Sequence, residues 1–596
     1  MTQFFRDRDL AGRFLGAVLF GLLIWLALPH VIVVLDDDFW YLRSVGETFR
    51  RGRPWTDFWQ APWAATSSCL VALVFAVTAS MKLAVHGLLF LSAAMVFFGL
   101  SSFAGRSGLG AKGGSMVAFL VLSGPTTLFM LMMFTSVPFY WGCLWLAAWL
   151  ALTKRWGWFA VVFCLGLGAR QSALTWLALP GWAFLSALIL RGRGERIVLP
   201  WKAFFAVVTG LLMLVILKAI MNPTHAQEVI FGAMGETIKA GRIPLHANVL
   251  VIGTLVVIGG YGLGCLAHAM TRWWRTGGFP FPRAGWLRFL SALLTVGWGA
   301  WLAFWLMKQL SWSHGCYLDK WAPPIALVTG GLAGAGVVLW PRRPSWGFVL
   351  AALGALVLAG LYGGLFDYYF ADLFFWGLAA SLAGEDHSLS RDPAGTTPVS
   401  RFPTVPARSV VLILVLILAA WNFRCCCRHK YESDRVAACI QMTEGALRKG
   451  VLKPHEIGFA SFGYLGWHLE DYYITHDGLG SADLGGFMAY RDDWNGERGT
   501  STLSENPKSF RAFRDWFPSH NNKELKARTD ALLLAEIEAP ILWFWKAKFF
   551  LKRVPGEGVR LDRKPVDYDD FQFHPFPLND LEWSQFMNFG NFETSP

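Results

Sequence analysis

The feature that most constrains this chain is a series of long apolar stretches with few charges inside them. They lie at about 14–35, 81–105, 114–134, 137–153, 157–172, 173–190, 203–221, 247–270, 286–309, 322–340, 347–365, 366–383 and 409–422. About 20 such residues cross the ~30 Å hydrocarbon core of a bilayer as a helix, because lipid offers backbone polar groups no partner but one another. Charged residues make up only 16% of the 596, against about a quarter in an ordinary soluble domain, and mean hydropathy is +0.41. Disorder and a wholly soluble enzyme are thereby excluded. The net charge of +12 does not point to nucleic acid, since the basic residues sit mostly in short loops rather than on one soluble surface. The expected fold is a polytopic α-helical membrane protein with about 11–13 transmembrane helices.

Basic loops set an expected orientation. With the N-terminus in the cytoplasm, Arg106 and Lys112, Lys154 and Arg155, Arg191, Arg193 and Arg196, Arg272, Arg275 and Arg283, and Arg342 and Arg343 all fall on one side. An odd number of crossings carries the chain beyond Trp421 to the opposite face. Residues 1–423 then form the membrane domain, with 385–408 as a cytoplasmic linker, and 424–596 an extracytoplasmic soluble domain of α/β or mixed type. The absence of glycosylation sequons fits a bacterial plasma membrane. Nine cysteines show no CxxC pair and no Cys/His spacing for zinc.

The first apolar run ends in Asp36-Asp37-Asp38-Phe39-Trp40-Tyr41. Three adjacent carboxylates at a membrane surface repel one another, and a helix C-terminus does not favour them, so a proton, a cation or a hydrogen-bond network must compensate. Phe39, Leu42, Val45 and Phe49 then recur at helical spacing, with Arg43, Glu47, Arg50 and Arg51 elsewhere, which predicts an amphipathic helix on the membrane. A second interfacial segment is expected from Pro62 to about Ser80, so that the juxtamembrane helices occupy about 38–80. The 31 Trp and 48 Phe are expected mainly in interfacial belts.

Acids after the first span, two juxtamembrane helices, about a dozen spans and an extracytoplasmic tail resemble the GT-C glycosyltransferases. Within them the chain looks most like bacterial terminal arabinofuranosyltransferase-type enzymes. Their Asp-Asp-x-aromatic stretch followed by Arg corresponds to Asp36, Asp37, Phe39 and Arg43. Their Thr-Ser-Pro-Leu-like turn corresponds to Thr66-Ser67-Ser68-Cys69, without the proline. In the tail, Gly463-Tyr464-Leu465-Gly466 and His476-Asp477-Gly478-Leu479 resemble further short motifs. The family's Gly-Gly-Asp-Phe followed by arginine is altered to Gly363-Gly364-Leu365-Phe366-Asp367, with the acid displaced and the arginine absent.

The resemblance implies transfer of a sugar, arabinofuranose-like or another pentose or hexose, from a polyprenyl-phosphate donor to a cell-envelope glycan or lipid acceptor. Asp36 or Asp37 is then the general base, the choice between them staying open, and stereochemistry also stays open. A phosphate leaving group needs positive charge more than it needs an acid. The candidates for that contact are Arg43, Arg170 and Lys320, with Lys82 behind them. Arg170, at the turn Gly168-Ala169-Arg170-Gln171-Ser172, either points into a cavity or snorkels to headgroups. Asp38, Trp40, Tyr41 and His314 are the expected sugar or acceptor contacts. No cofactor is required, although Asp36–Asp38 could hold a divalent cation.

Mannosyl- or aminoarabinosyl-type transferases and oligosaccharide ligases share this pattern. A transporter or flippase of lipid-linked sugar predicts charges deep within helices and pseudo-symmetric halves, and neither is evident in the sequence. A non-catalytic assembly or receptor protein leaves the acidic triplet unexplained.

Overall fold

The computed structural model describes residues 8–28, 38–56, 63–221, 235–241, 247–276, 342–362, 367–386, 417, 420, 457–459, 510–512, 532–542 and 545–553. The helices are α1 (Arg8–Ala27), α2 (Asp38–Arg51), α3 (Ala65–Thr78), α4 (Met81–Ala104), α5 (Gly110–Leu122), α6 (Pro125–Met132), α7 (Ser136–Leu152), α8 (Trp156–Ala169), α9 (Ala178–Gly192), α10 (Trp201–Ile220), α11 (Ala247–Thr276), α12 (Trp346–Tyr362) and α13 (Asp367–Leu382). Among the described residues, four helical stretches are long and apolar enough to cross a membrane: Asp9–Ala27, Met81–Leu122, Gln171–Gly192 and Trp201–Ile220. Shorter apolar helices accompany them, including Ser136–Leu152, Trp156–Ala169 and Trp346–Leu361. This is compatible with an α-helical membrane protein. The expected spans at 286–309 and 322–340 lie outside the described residues.

Two compact units divide the chain, one of Met1–Leu26, Ser44–Val77 and Ala84–Cys425, the other of Ala27–Arg43, Thr78–Leu83 and Cys426–Pro596. In the second, Ser80 caps α4, its hydroxyl accepting from Leu83 N–H at 3.3 Å. Most of 424–596 lies outside the described residues. Its described strands β3 (Ile457–Phe459), β4 (Phe510–Ala512), β5 (Leu532–Leu542) and β6 (Trp545–Arg553) form one sheet of order β3-β4-β6-β5. The first pair is parallel and the others antiparallel.

In the first unit, α4 and α5 form a hairpin through a π-turn, Gly105–Leu109, in which Gly108 takes φ 101°. A Cβ on Gly114 would lie 2.4 Å from Ser101 O, although thirteen residues of continuous helix span about 20 Å. The chain therefore doubles back between the runs expected at 81–105 and 114–134. The second run is itself interrupted: α5 ends at Leu122, and Pro125 starts α6 at its first turn, where a missing N–H costs nothing.

The core centres on α7, whose residues from Ser136 to Trp145 are all buried. Thr135 caps it by accepting from Val137 N–H at 3.3 Å. Close approach to α4 is possible because Gly99 and Gly142 face backbone and Met95 at 2.8 and 2.9 Å from where a Cβ would stand. Trp141, Trp145, Trp176 and Trp376 are among the largest fully buried side chains. The expectation of interfacial belts therefore fails for these four; their rings pack on Phe375, Phe103, Phe163 and Phe348 at centroid distances of 5.2 to 6.2 Å. Burial of such large rings gains more than headgroup contact offers.

Helices α11 and α13 meet backbone to backbone. A Cβ on Gly260 would stand 2.1 Å from Phe374 O, and one on Gly377 2.0 Å from Val257 O. Beside them Cys265 Sγ lies 3.3 Å from Ser381 Oγ. At one end of this pair, β1 (Arg342–Arg343) runs antiparallel to β2 (Glu385–Asp386). Tyr261 donates its hydroxyl to Arg342 O, and Arg342 Nη2 donates to Gly384 O. Arg13 packs on Gly105, and His268 and Thr271 lie against Gly108 and Gly113.

Candidate functional site

The site is built where α8 stops. Gly166 and Gly168 weaken the last turn, and Arg170 leaves the helix at φ −154°, ψ 136° before a 3-10 turn, Gln171–Leu177. Gly166 is required there: a Cβ would stand 2.5 Å from the Trp176 ring. The break turns Arg170 inward, where it is 3% exposed. The guanidinium carbon lies 5.8 Å from the Tyr140 ring centroid. Its charge also acts on Asp372, a carboxylate of α13 that is 5% exposed. Asp372 Oδ1 in turn accepts from Trp141 Nε1, and Tyr140 OH accepts from Trp176 Nε1 at 3.4 Å.

Helices α7, α8 and α13 and the 3-10 turn thus place one cation, one carboxylate, one phenol and two indoles in a single interior cluster. Away from water the two charges act on one another: an isolated buried ion costs several kcal/mol, roughly, and opposite charge and hydrogen bonds nearby return part of that. Arg170 therefore does not snorkel to headgroups. It is an interior group held by a helix break, and a guanidinium with five donors can bind a second anion while facing Asp372.

The segment 168–172 also carries the start of α3. Gln171 Oε1 accepts from Trp63 N–H at 3.3 Å, and a Cβ on Gly168 would stand 2.3 Å from Thr66 Oγ1. Ser172 Oγ lies near the Tyr140 hydroxyl but makes no well-formed hydrogen bond.

The other expected site residues are placed as follows. Asp36, Asp37, His314 and Lys320 lie outside the described residues, as do Gly463–Gly466 and His476–Leu479. Asp38 opens α2, with Trp40 and Arg43 in its first two turns, their side chains outside the described set; Tyr41 is buried. Lys82 stands in the first turn of α4 with an exposed side chain. In α2, Leu42 and Val45 of the expected apolar face are buried, but Phe49 is 36% exposed, while the polar Ser44 and Thr48 are buried. Arg51 pairs with Glu47 at 2.9 Å and covers the Trp55 ring at 3.9 Å, so it is engaged within the protein. Among the described residues no group of three or more His, Cys, Asp or Glu could hold a metal.

Asp372 is the residue that sequence reasoning missed. The signal was present: besides Asp367 at its start, the apolar run 366–383 holds a second acid further in, where an ionisable side chain is costly and needs a partner. Its burial corrects the reading that no charge lies within the helices. Comparison with protein-family models, with curated proteins and with solved structures found no match.

Proposed function

We propose that this protein is a GT-C-like membrane glycosyltransferase that moves a sugar from a polyprenyl-phosphate donor to an extracytoplasmic cell-envelope glycan or lipid. The observation that carries the reading is Arg170: a permanent cation buried at a helix break inside an apolar bundle, beside polar groups with unused hydrogen-bonding capacity. Such a group suits a phosphate that must be stabilised as it leaves.

In this scheme Asp36 or Asp37 takes the proton from the acceptor hydroxyl as its oxygen bonds to the anomeric carbon. The bond from that carbon to the phosphate oxygen breaks, and polyprenyl phosphate departs with the electron pair. General-base assistance of this kind contributes roughly 10²- to 10⁴-fold. Arabinofuranose, other pentoses and hexoses, aminoarabinose and mannose, and preassembled oligosaccharide, all fit the scheme. The acidic triplet needs no metal for it.

Lipid and envelope-glycan mass spectrometry of a deletion strain identifies the missing sugar, and the purified protein is then assayed with that donor. Asp36→Asn and Asp37→Asn are expected to fold normally, with at least one losing transfer. Wild-type turnover in both removes the base from this scheme. A second reading draws on Asp372, because a charge within a membrane helix also belongs to transporters. Reconstituted protein that moves labelled lipid-linked sugar across vesicles, with the sugar unchanged, selects a flippase instead.

A further inference from the structure

Serine and threonine hydroxyls within apolar helices are normally satisfied by a carbonyl one turn back. Ser92, Ser107 and Thr153 follow this rule, donating to Leu88 O, Phe103 O and Trp149 O at 2.7, 2.9 and 3.0 Å. Ser67 and Ser68 do not: each is 1% exposed, and among the described residues neither hydroxyl has a hydrogen-bond partner. Among the described residues Ser102 and Ser172 also have unpartnered hydroxyls, but Ser102 lies in the last turn of α4, away from the leading N–H groups of a helix.

Ser67 and Ser68 differ in standing at the first turn of α3. The first i→i−4 bond runs from Ser68 N to Ala64 O at 2.9 Å, so the N–H groups of Ala65, Thr66 and Ser67 precede the helical ladder. Helical Cα–Cβ bonds tilt toward the N-terminus, which directs the two hydroxyls to that same end. There the partial positive charge of the helix dipole favours an anion. The turn is fixed rather than loose, because Trp63 and Thr66 dock on Gln171 and Gly168, on either side of Arg170 in the chain.

We propose that the first turn of α3 is a phosphate-binding site in which the Ser67 and Ser68 hydroxyls and the leading N–H groups hold the oxygens of a phosphate ester. This deepens the proposed function, resting on its reading of the 168–172 segment as the place where the donor phosphate sits. The serines supply neutral donors, and Arg170 on the adjoining segment supplies charge. The ligand chemistry is a phosphate mono- or diester, on a lipid or free.

Binding to the full-length protein in detergent is measured by native mass spectrometry and by thermal shift, with undecaprenyl phosphate, undecaprenol and inorganic phosphate as probes. The Ser67→Ala/Ser68→Ala protein is expected to melt at or above the wild-type temperature, since it loses two buried unsatisfied hydroxyls. It should bind undecaprenyl phosphate at least about 10-fold more weakly, with undecaprenol binding unchanged. A structural role would give the reverse, a lower melting temperature with unaltered binding, and would overturn the proposal. Equal phosphate binding by both proteins would overturn it as well. Binding of inorganic phosphate with the same serine dependence assigns the site to a free phosphate, while dependence seen only with the lipid assigns it to the lipid headgroup. Loss of binding in the serine variant, with no sugar transfer by wild type, upholds the site and removes the transferase; transfer with unaltered binding does the opposite.

Discussion

Exchanging Asp372 for leucine removes a carboxylate whose charge acts on the Arg170 guanidinium, 3% exposed, and leaves the Trp141 N–H without its acceptor. Removing one member of a buried ion pair costs about 3–5 kcal/mol, because the remaining charge keeps its desolvation penalty. A hydrogen bond to a charged group accounts for about 1.5–3 kcal/mol of that, which is the loss expected for Trp141→Phe. Arg170→Leu leaves the carboxylate its Trp141 hydrogen bond but takes away the nearby cation. The two single losses sum to about 6–10 kcal/mol, but the double variant buries no lone charge, so it should fall short of the sum by at least about 2 kcal/mol. Asp372→Asn keeps an acceptor for Trp141 and should cost less than Asp372→Leu. The assay is reversible unfolding in mixed detergent micelles, followed by circular dichroism and arranged as a double-mutant cycle. Additivity within about 0.5 kcal/mol would refute the claim that the two charges act as one unit.

Two further predictions concern close backbone approach. Gly377→Ala places a methyl 2.0 Å from Val257 O, where no rotamer change can relieve it; a loss of about 1–3 kcal/mol or more is expected. Gly181→Ala, with nothing within 4 Å, should be neutral or stabilising by up to about 1 kcal/mol, and detergent melting curves compare the two. Gly168→Ala collides with Thr66 Oγ1 at 2.3 Å, whereas the next atom, Thr66 Cβ, is at 3.6 Å. The melting temperature lost in Gly168→Ala should therefore return in Thr66→Ala/Gly168→Ala, and failure to recover it contradicts the docking of α3 on this segment.

The apolar runs made the helices legible because the length of a membrane helix is set locally, by bilayer thickness against rise per residue. The turn at 168–172 and the reversal near 105–113 were readable for the same reason: each depends on residues within a few turns. The break between α5 and α6 is marked in the sequence by Ser123-Gly124-Pro125-Thr126-Thr127, a turn signal that the high hydropathy of the surrounding run masks. Among the interior tryptophans, Trp141 and Trp176 lie near the ends of their runs, where an aromatic residue suits a headgroup and a core equally well, whereas Trp145 and Trp376 sit in mid-run, where only a core suits them.

What the sequence alone determined was the solvent this chain is made for, the alternation of its basic loops and the presence of an arginine at a tight turn. Only the tertiary structure decided where that arginine faces. Trp141 and Asp372 are separated by 231 positions, and no local periodicity encodes a contact across that distance. It is selected by shape, through glycines that let α13 press against α11 and bulky rings that fix its rotation toward α7. Hydropathy records how much each segment prefers lipid to water; the identity of a polar partner depends on which faces pack together, because a charge in this interior has little else to bind.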